Sequence, residues 1–241
     1  MKLEVIGTGS KQGNAYLLWH GKECLLLDAG LPMDMIYRAV GENFTALQGV
    51  LISHDHGDHS YSAKKLIKQF VNVLCTKETA EAIGIPLNNV CLTTVLHGNI
   101  YSIGNWLVQP FNLEHDSDGS IGFLIQYAGE DDHVCYMTDT AFTKYKLPPL
   151  TDLIVECSFT DEKLKQNYEE LEDRFVRLKT SHMSLNRLLR MLDATDKRRL
   201  RNVVLVHLSD ENSDAKVMQQ KVEEATGAKV YCADAGMRIV L

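Results

Sequence analysis

Short apolar runs alternate with polar turns through the first half of the chain. Positions 2–6, 15–20 and 23–28 have the length and makeup of β-strands. The stretch Gly7-Thr8-Gly9-Ser10-Lys11-Gln12-Gly13-Asn14 and the trio His20-Gly21-Lys22 supply the turns between them. Helices are predicted over 32–40, 60–70 and, more briefly, 77–83, with strands at 49–52 and 71–75 and a connector at 84–89. A second series of apolar runs follows at 106–113, 121–127, 134–138, 153–155 and 203–207. A mostly helical stretch covers 160–192 and breaks around Thr180-Ser181-His182, a further helix covers 213–226, and terminal strands fall at 229–232 and 238–241. Two strand–helix halves in similar order predict an α/β fold, with residues 1–241 forming one domain of two sheets sandwiched between helices.

One polar stretch breaks this rhythm. Directly after the apolar run Gly49-Val50-Leu51-Ile52 comes Ser53-His54-Asp55-His56-Gly57-Asp58-His59. Imidazole and carboxylate are the ligands of zinc-like cations. An exposed loop has no reason to collect three of the nine histidines in six positions, so the stretch reads as a metal site. His54 and His56, two apart at a strand end, lean to one side and can share an ion. Gly57 permits the tight reversal that turns Asp58 and His59 toward a second position.

Further candidates sit where apolar runs end. His115 follows the run 108–113, with Glu114 before it and Asp116 after; Asp139 closes Tyr136-Met137-Thr138; His207 closes 203–206. Taken singly each could be a capping or surface residue. Taken with the His54 run they read as ligands delivered by rigid elements.

Composition narrows the setting. No stretch approaches the roughly 20 apolar residues of a membrane helix, and the first residues lack the charged-then-apolar layout of a secretory signal. The six cysteines lie far apart with no CxxC pair, which predicts reduced thiols and a cytoplasmic location, with no membrane partner. A net charge of −7 argues against a general nucleic-acid coat. It conceals a basic segment: between Arg174 and Arg201 nine basic residues face only Asp193 and Asp196. That segment reads either as solvated helix faces or as a basic flank for a phosphate-bearing substrate, with His182 in its middle.

At this point the chain resembles the metallo-β-lactamase superfamily, whose signature His-x-His-x-Asp-His is complete at positions 54 to 59. Asp28 in Leu27-Asp28-Ala29-Gly30, then His115, Asp139 and His207, match its later landmarks in order. The resemblance implies a four-layer αβ/βα sandwich with a dinuclear site at the sheet edges. One metal would take His54, His56 and His115, the other Asp58, His59 and His207, with Asp139 bridging and Asp28 orienting the metal loop. Gly9 to Leu17 is similar to the Gly-Ser-x-Gly-Asn entry of the WalJ/YycJ-like exonuclease group, with one extra residue. His207-Leu208-Ser209-Asp210-Glu211-Asn212 resembles its His-Leu-Ser-x-x-Asn-Asn, with Ser213 in place of the last Asn, and Thr180-Ser181-His182-Met183-Ser184 its Gly-His-Leu-Ser, with Ser181 in place of Gly. Ribonuclease Z and related phosphodiesterases carry a histidine between the bridging aspartate and the last ligand, the place of His182 here. His56 stands where the oxygen-reducing di-iron branch carries Glu.

The expected activity is therefore metal-dependent hydrolysis of phosphodiesters, with a nuclease acting on DNA or RNA favoured. Metal-acidified water would attack phosphorus, and Asp58 and His182 would be catalytic, His182 as general acid. Two divalent ions are expected, zinc first for the imidazole-rich ligand set and manganese as the alternative. The partner is a nucleic-acid or nucleotide phosphodiester, and a homodimer is one option for assembly. Three alternatives stay open: a phosphodiesterase of a small cyclic nucleotide, a thioester, lactone or β-lactam hydrolase, and a metal-bound scaffold without catalysis.

Overall fold

The computed structural model describes residues 1–168 and 172–241. Its strands in chain order are β1 (Lys2–Gly7), β2 (Ala15–His20), β3 (Glu23–Leu27), β4 (Leu47–Leu51), β5 (Val73–Cys75), β6 (Leu92–Thr94), β7 (Tyr101–Ile103), β8 (Trp106–Asn112), β9 (Ile121–Tyr127), β10 (Val134–Met137), β11 (Asp152–Glu156), β12 (Asn202–Val206), β13 (Lys229–Cys232) and β14 (Arg238–Val240). The helices are α1 (Met33–Val40), α2 (Gly57–Ser60), α3 (Ala63–Lys68), α4 (Lys77–Ala82), α5 (Asp161–Asn167), α6 (Asp173–Ser181), α7 (Leu185–Asp193) and α8 (Ala215–Thr226).

The strands form two seven-stranded sheets, ordered β14-β1-β2-β3-β4-β5-β6 and β13-β12-β11-β10-β9-β8-β7. In each sheet the pairing switches from antiparallel to parallel: β3–β4–β5–β6 in the first, β10–β11–β12–β13 in the second. Parallel neighbours need helical crossovers, and those crossovers cover the outer faces.

Alternation along β2 shows how the layers stack. Tyr16 and Leu18 join a cluster between the sheets with Leu25, Trp106, Phe123 and Val204. Ala15 and Leu17 point the other way, into a cluster with Ile36, Leu66 and Ile67 of α1 and α3. On the far side of the second sheet, Leu153, Val155 and Leu205 pack against Leu188 and Leu192 of α7 and Met218 and Val222 of α8. Successive strand residues thus feed opposite faces, and the result is the expected four-layer αβ/βα sandwich.

Most predicted elements appear within a residue or two. The helix predicted over 60–70 is broken, with α2 ending at Ser60 and α3 starting at Ala63. Ser62 between them donates its backbone N–H to Ala29 O (2.8 Å) and its hydroxyl to Leu31 O (2.6 Å), bonds that pull the chain off the helical path. The short strands β6 and β7 were not predicted, since only one of their six positions is buried and they carry no continuous apolar run. The long helical stretch divides into α5, α6 and α7, and its last break falls at 182–184, two residues beyond the predicted one; part of the stretch lies outside the described residues. Among the described residues no helix is long and apolar enough to cross a membrane. All six cysteines are free thiols, five of them buried.

Candidate metal centre

Strand ends deliver the site. Just past β4, the loop from Ser53 and the short α2 carry His54, His56, Asp58 and His59; His115 follows β8; Asp139 and His207 follow β10 and β12. Among the described residues four non-glycine positions have positive φ, and three of them are Asp28 (56°), Asp139 (41°) and His207 (53°). Each lies one or two residues beyond a strand. Left-handed backbone costs an L-residue about 1–2 kcal/mol. Such strain persists only where the surroundings dictate the conformation, and it gathers at functional sites.

The seven metal-ligand candidates singled out in the sequence converge at this edge. Ligand-type atoms of His54, His56, His115 and Asp139 lie within 4.8 Å of one another, as do those of Asp58, His59, Asp139 and His207. Asp139 belongs to both groups. Its Oδ2 lies 4.0 Å from His54 Nε2 and 3.9 Å from His115 Nε2, while its Oδ1 lies 3.4 Å from both His59 Nε2 and His207 Nδ1. Asp58 Oδ2 lies 3.5 Å from both His59 Nε2 and His207 Nε2.

Hydrogen bonds behind the rings fix which nitrogen faces inward. Asp28, fully buried, accepts from Ser53 N–H (2.7 Å), Ser53 Oγ–H (2.9 Å), His59 Nδ1–H (2.7 Å) and Tyr136 Oη–H (2.6 Å). Because the Ser53 hydroxyl proton goes to Asp28, Ser53 Oγ accepts from His54 Nδ1–H at 2.9 Å. His115 Nδ1–H donates to Ser181 O at 2.8 Å. Three imidazoles thus have Nδ1 engaged from behind and Nε2 turned to the cluster, the arrangement that prepares histidine for a metal. His54 Nε2 and His207 Nε2 are buried without any hydrogen-bond partner. An orphaned buried polar atom costs about 1–3 kcal/mol, and a divalent cation supplies the missing partner. The residues fit a pair of metal ions, and an imidazole-rich set with two carboxylates suits zinc-like cations.

Electrostatics divides the imidazoles. Burial, with neighbouring His59, pushes His54 well below the usual histidine value, and burial likewise lowers His115. Burial also opposes charging His207, but Asp139, Asp58 and Glu156 outweigh it and raise its pKa to about 10. Asp139 and Asp28 overcome the burial of His59 in the same way, and its pKa is raised well above the usual value. Burial works against the Asp139 carboxylate, yet His207 and His59 hold its pKa well below the usual range. In the metal-free protein His59 and His207 therefore carry the positive charge that balances these carboxylates.

The centre opens on a cavity of about 220 Å³ bordered by His56, Asp58, Asp139, His182 and His207, with Arg174 and Arg177 on its rim. His182 Nδ1 lies 2.6 Å from Glu156 Oε1, and His207 Nδ1 lies 3.2 Å from the same oxygen. Glu156 Oε2 accepts from the backbone N–H groups of Thr140 (2.9 Å) and Met183 (3.1 Å). Sequence reading gave Glu156 no role, although it shows the same signal as Asp139 and His207, a polar residue closing an apolar strand. Asp116, also unassigned, lies 3.0 Å from His115 Nε2 and accepts from Arg177 Nε–H at 2.7 Å.

The basic segment does not form one flank. Only Arg174 and Arg177 reach this cavity; Arg187 and Arg190 border a different one. The last four cations are spent on Asp193, Asp196, Asp131, Asp132 and Asp152, toward the end of the second sheet where β11 and β12 begin. Neighbours in sequence part company here because α7, packed on the second sheet, lies between them.

A sandwich of two mixed sheets with a paired histidine–aspartate centre at its edge defines the metallo-hydrolase class. The chain belongs to the β-lactamase superfamily, whose domain description matches residues 24–208. It is similar to exodeoxyribonuclease YycJ of Bacillus anthracis, 21% identical over 96% of this chain and 91% of the relative. It is also similar to exodeoxyribonuclease WalJ of Streptococcus pneumoniae, 23% identical over 88% of this chain and 83% of the relative. Among solved structures, the metallo-β-lactamase fold protein YhfI from Bacillus subtilis superposes with a TM-score of 0.75 at 16% identity, covering 99% of both chains. The fold and family expected from the sequence are thus borne out.

Proposed function

We propose that the chain is a metal-dependent phosphodiesterase and that its substrate is a nucleic-acid strand. In this reading His54, His56 and His115 would hold one divalent ion and Asp58, His59 and His207 the other, with Asp139 available to both. Such ions, when bound, supply Lewis-acid stabilisation of the phosphate and water of lowered pKa.

The remaining work falls to the chain's own groups. His182 donates a proton from Nε2 to the departing oxygen. Its Nδ1–H is engaged by Glu156, which leaves Nε2 as the only ring atom able to act on substrate. Burial disfavours charge on His182, but Glu156 and Asp139 more than compensate and raise its pKa, a direction that favours the protonated form a general acid needs. Arg174 and Arg177 bind non-bridging phosphate oxygens, and Asp116 holds Arg177 in place until substrate arrives. The observation that carries this reading is His182, on the wall of the same cavity as the imidazole cluster and held from behind by the buried Glu156. Carbonyl hydrolysis through a good leaving group has no need of such a donor. The exonuclease names of the two relatives support the same substrate class.

The test is a substrate panel with the zinc- or manganese-loaded protein: bis-p-nitrophenyl phosphate, 5′-phosphorylated duplex DNA, single-stranded RNA, a cyclic nucleotide, nitrocefin and a lactone. Cleavage of the chromogenic diester and of a polymer is expected. Turnover of nitrocefin or the lactone alone would overturn the reading, and turnover of the cyclic nucleotide without the polymers would replace the nuclease by a small-molecule phosphodiesterase.

A further inference from the structure

A second cavity, of about 590 Å³, opens between α7 and the segment that leads from Asp139 toward β11. Its α7 wall presents Arg187, Arg190 and Met191, whose spacing places them along one helical face, with Met183 just before the helix and Ala194 at its end. The facing wall carries Phe142, Lys144, Tyr145, Lys146 and Leu147. No acidic side chain lines it among the described residues. Both walls start at the metal centre, since Asp139 precedes Phe142 by three residues and His182 precedes Met183 directly. Arg187 Nη1 donates to His182 O at 3.4 Å, so the two sites share a seam. Along α7 the groove follows the helix for roughly 12 Å, at 1.5 Å per residue.

The lining has two kinds of unmet demand. Lys144 is paired with Glu114 and Lys146 lies near enough to Asp196 to help lower its pKa, but Arg190 has no ion pair among the described residues. Phe142 and Tyr145 are 45% and 40% exposed, unusual for large rings beside an apolar floor. Tyr145 lies on His97 with ring centroids 4.3 Å apart, which holds its ring in place. An inorganic anion would satisfy the cations and leave the rings bare. An apolar ligand would cover the rings and leave the cations unmatched. A nucleotide satisfies both, with its base on the aromatic side chains and its phosphate on the cations, the combination by which single strands are held without sequence preference.

We infer that this groove binds the flanking nucleotides of a single-stranded nucleic acid whose scissile phosphate lies in the metal centre. The inference rests on the phosphodiesterase reading above, and its tests separate the two. Arg190→Glu and Phe142→Ala alter the groove without touching any residue of the metal centre or His182. With the metal-loaded protein, each is expected to raise KM for a single-stranded oligodeoxynucleotide of about twelve residues at least fivefold, a modest figure for the loss of one stacked base or phosphate contact. Their kcat/KM for bis-p-nitrophenyl phosphate, too small to reach the groove, should stay within twofold of wild type. Equal losses on both substrates, or an unchanged KM for the oligonucleotide, would overturn the inference. Anisotropy of the same oligonucleotide, fluorescein-labelled, gives a readout independent of turnover. Weakening by Arg190→Glu supports the groove even if no phosphodiester is cleaved, a result that would sink the phosphodiesterase reading alone. Binding that survives both variants, or binding only of an acidic peptide or a fatty acid in its place, would overturn the groove assignment.

Discussion

Glu156 Oε1 sits 2.6 Å from His182 Nδ1 and 3.2 Å from His207 Nδ1, so one fully buried carboxylate steers both the proposed proton donor and a proposed metal ligand. This shared anchor ties proton transfer to the metal centre through a single side chain at the end of β11. His182→Ala is expected to slow cleavage of ordinary nucleic-acid diesters by about 10²–10⁴, the usual worth of a general acid. It should slow bis-p-nitrophenyl phosphate far less, because p-nitrophenolate departs without protonation. Glu156→Gln should reproduce this leaving-group contrast in weaker form. Steady-state kinetics on the two substrates check both variants, and equal losses on both would contradict the assignment.

Asp28 gathers four hydrogen bonds from Ser53, His59 and Tyr136. Asp28→Asn keeps the shape but exchanges an acceptor for a donor facing His59 Nδ1–H. Partners that orient ligand imidazoles are worth about 10–100-fold in metal affinity. A zinc titration against a competing chelator should register a loss of that order.

Gly30 has no room for a side chain. A Cβ there would meet Asp58 O at 1.7 Å and Asn14 N at 2.8 Å, both rigid backbone atoms. Gly30→Ala must therefore push α2 away from the β3 end, straining the bonds Asn14 N–H to Asp58 O and Ala29 N–H to His59 O, each 2.7 Å. A loss of about 3 kcal/mol in unfolding free energy is expected, at the upper end of what overpacking costs, together with weaker metal binding. Urea denaturation with and without zinc measures both.

Metal loading should release protons. The carboxylates around His207 push its pKa up to about 10, so it is protonated near pH 7.5, and those around His59 shift it in the same direction, whereas a ligating imidazole is neutral. Binding should expel at least one proton at that pH and strengthen as pH rises through about 10, above which His207 no longer has a proton to lose. Calorimetry in buffers of different ionisation enthalpy reads this number, and a heat independent of buffer would contradict it.

The residues that carry metal chemistry were legible because their type is diagnostic in place. His54, His56 and His59 crowd a strand end, and His115, Asp139 and His207 close apolar runs of their own. Glu156 closes such a run equally well, but a lone glutamate at a strand end is common and nothing local marks its partners across the sheet. Ser53 and Ser181, which set ring orientation through a hydroxyl and a carbonyl, are invisible for the same reason. The fold followed from periodicity wherever strands are buried on both faces, and it failed at β6 and β7, where they are not. Charge misled in a different way: the run from Arg174 to Arg201 is continuous in sequence, yet the chain distributes it over two cavities and the far end of the sheet.

Metal-dependent cleavage of a phosphodiester is the central property of the proposed site. Chelator-stripped protein should regain bis-p-nitrophenyl phosphate hydrolysis as zinc or manganese is restored, reaching its plateau at two ions per chain, and the Asp58→Ala, His59→Ala double variant should remain inactive at any metal concentration. Hydrolysis that needs no metal, or that survives in the double variant, would contradict it.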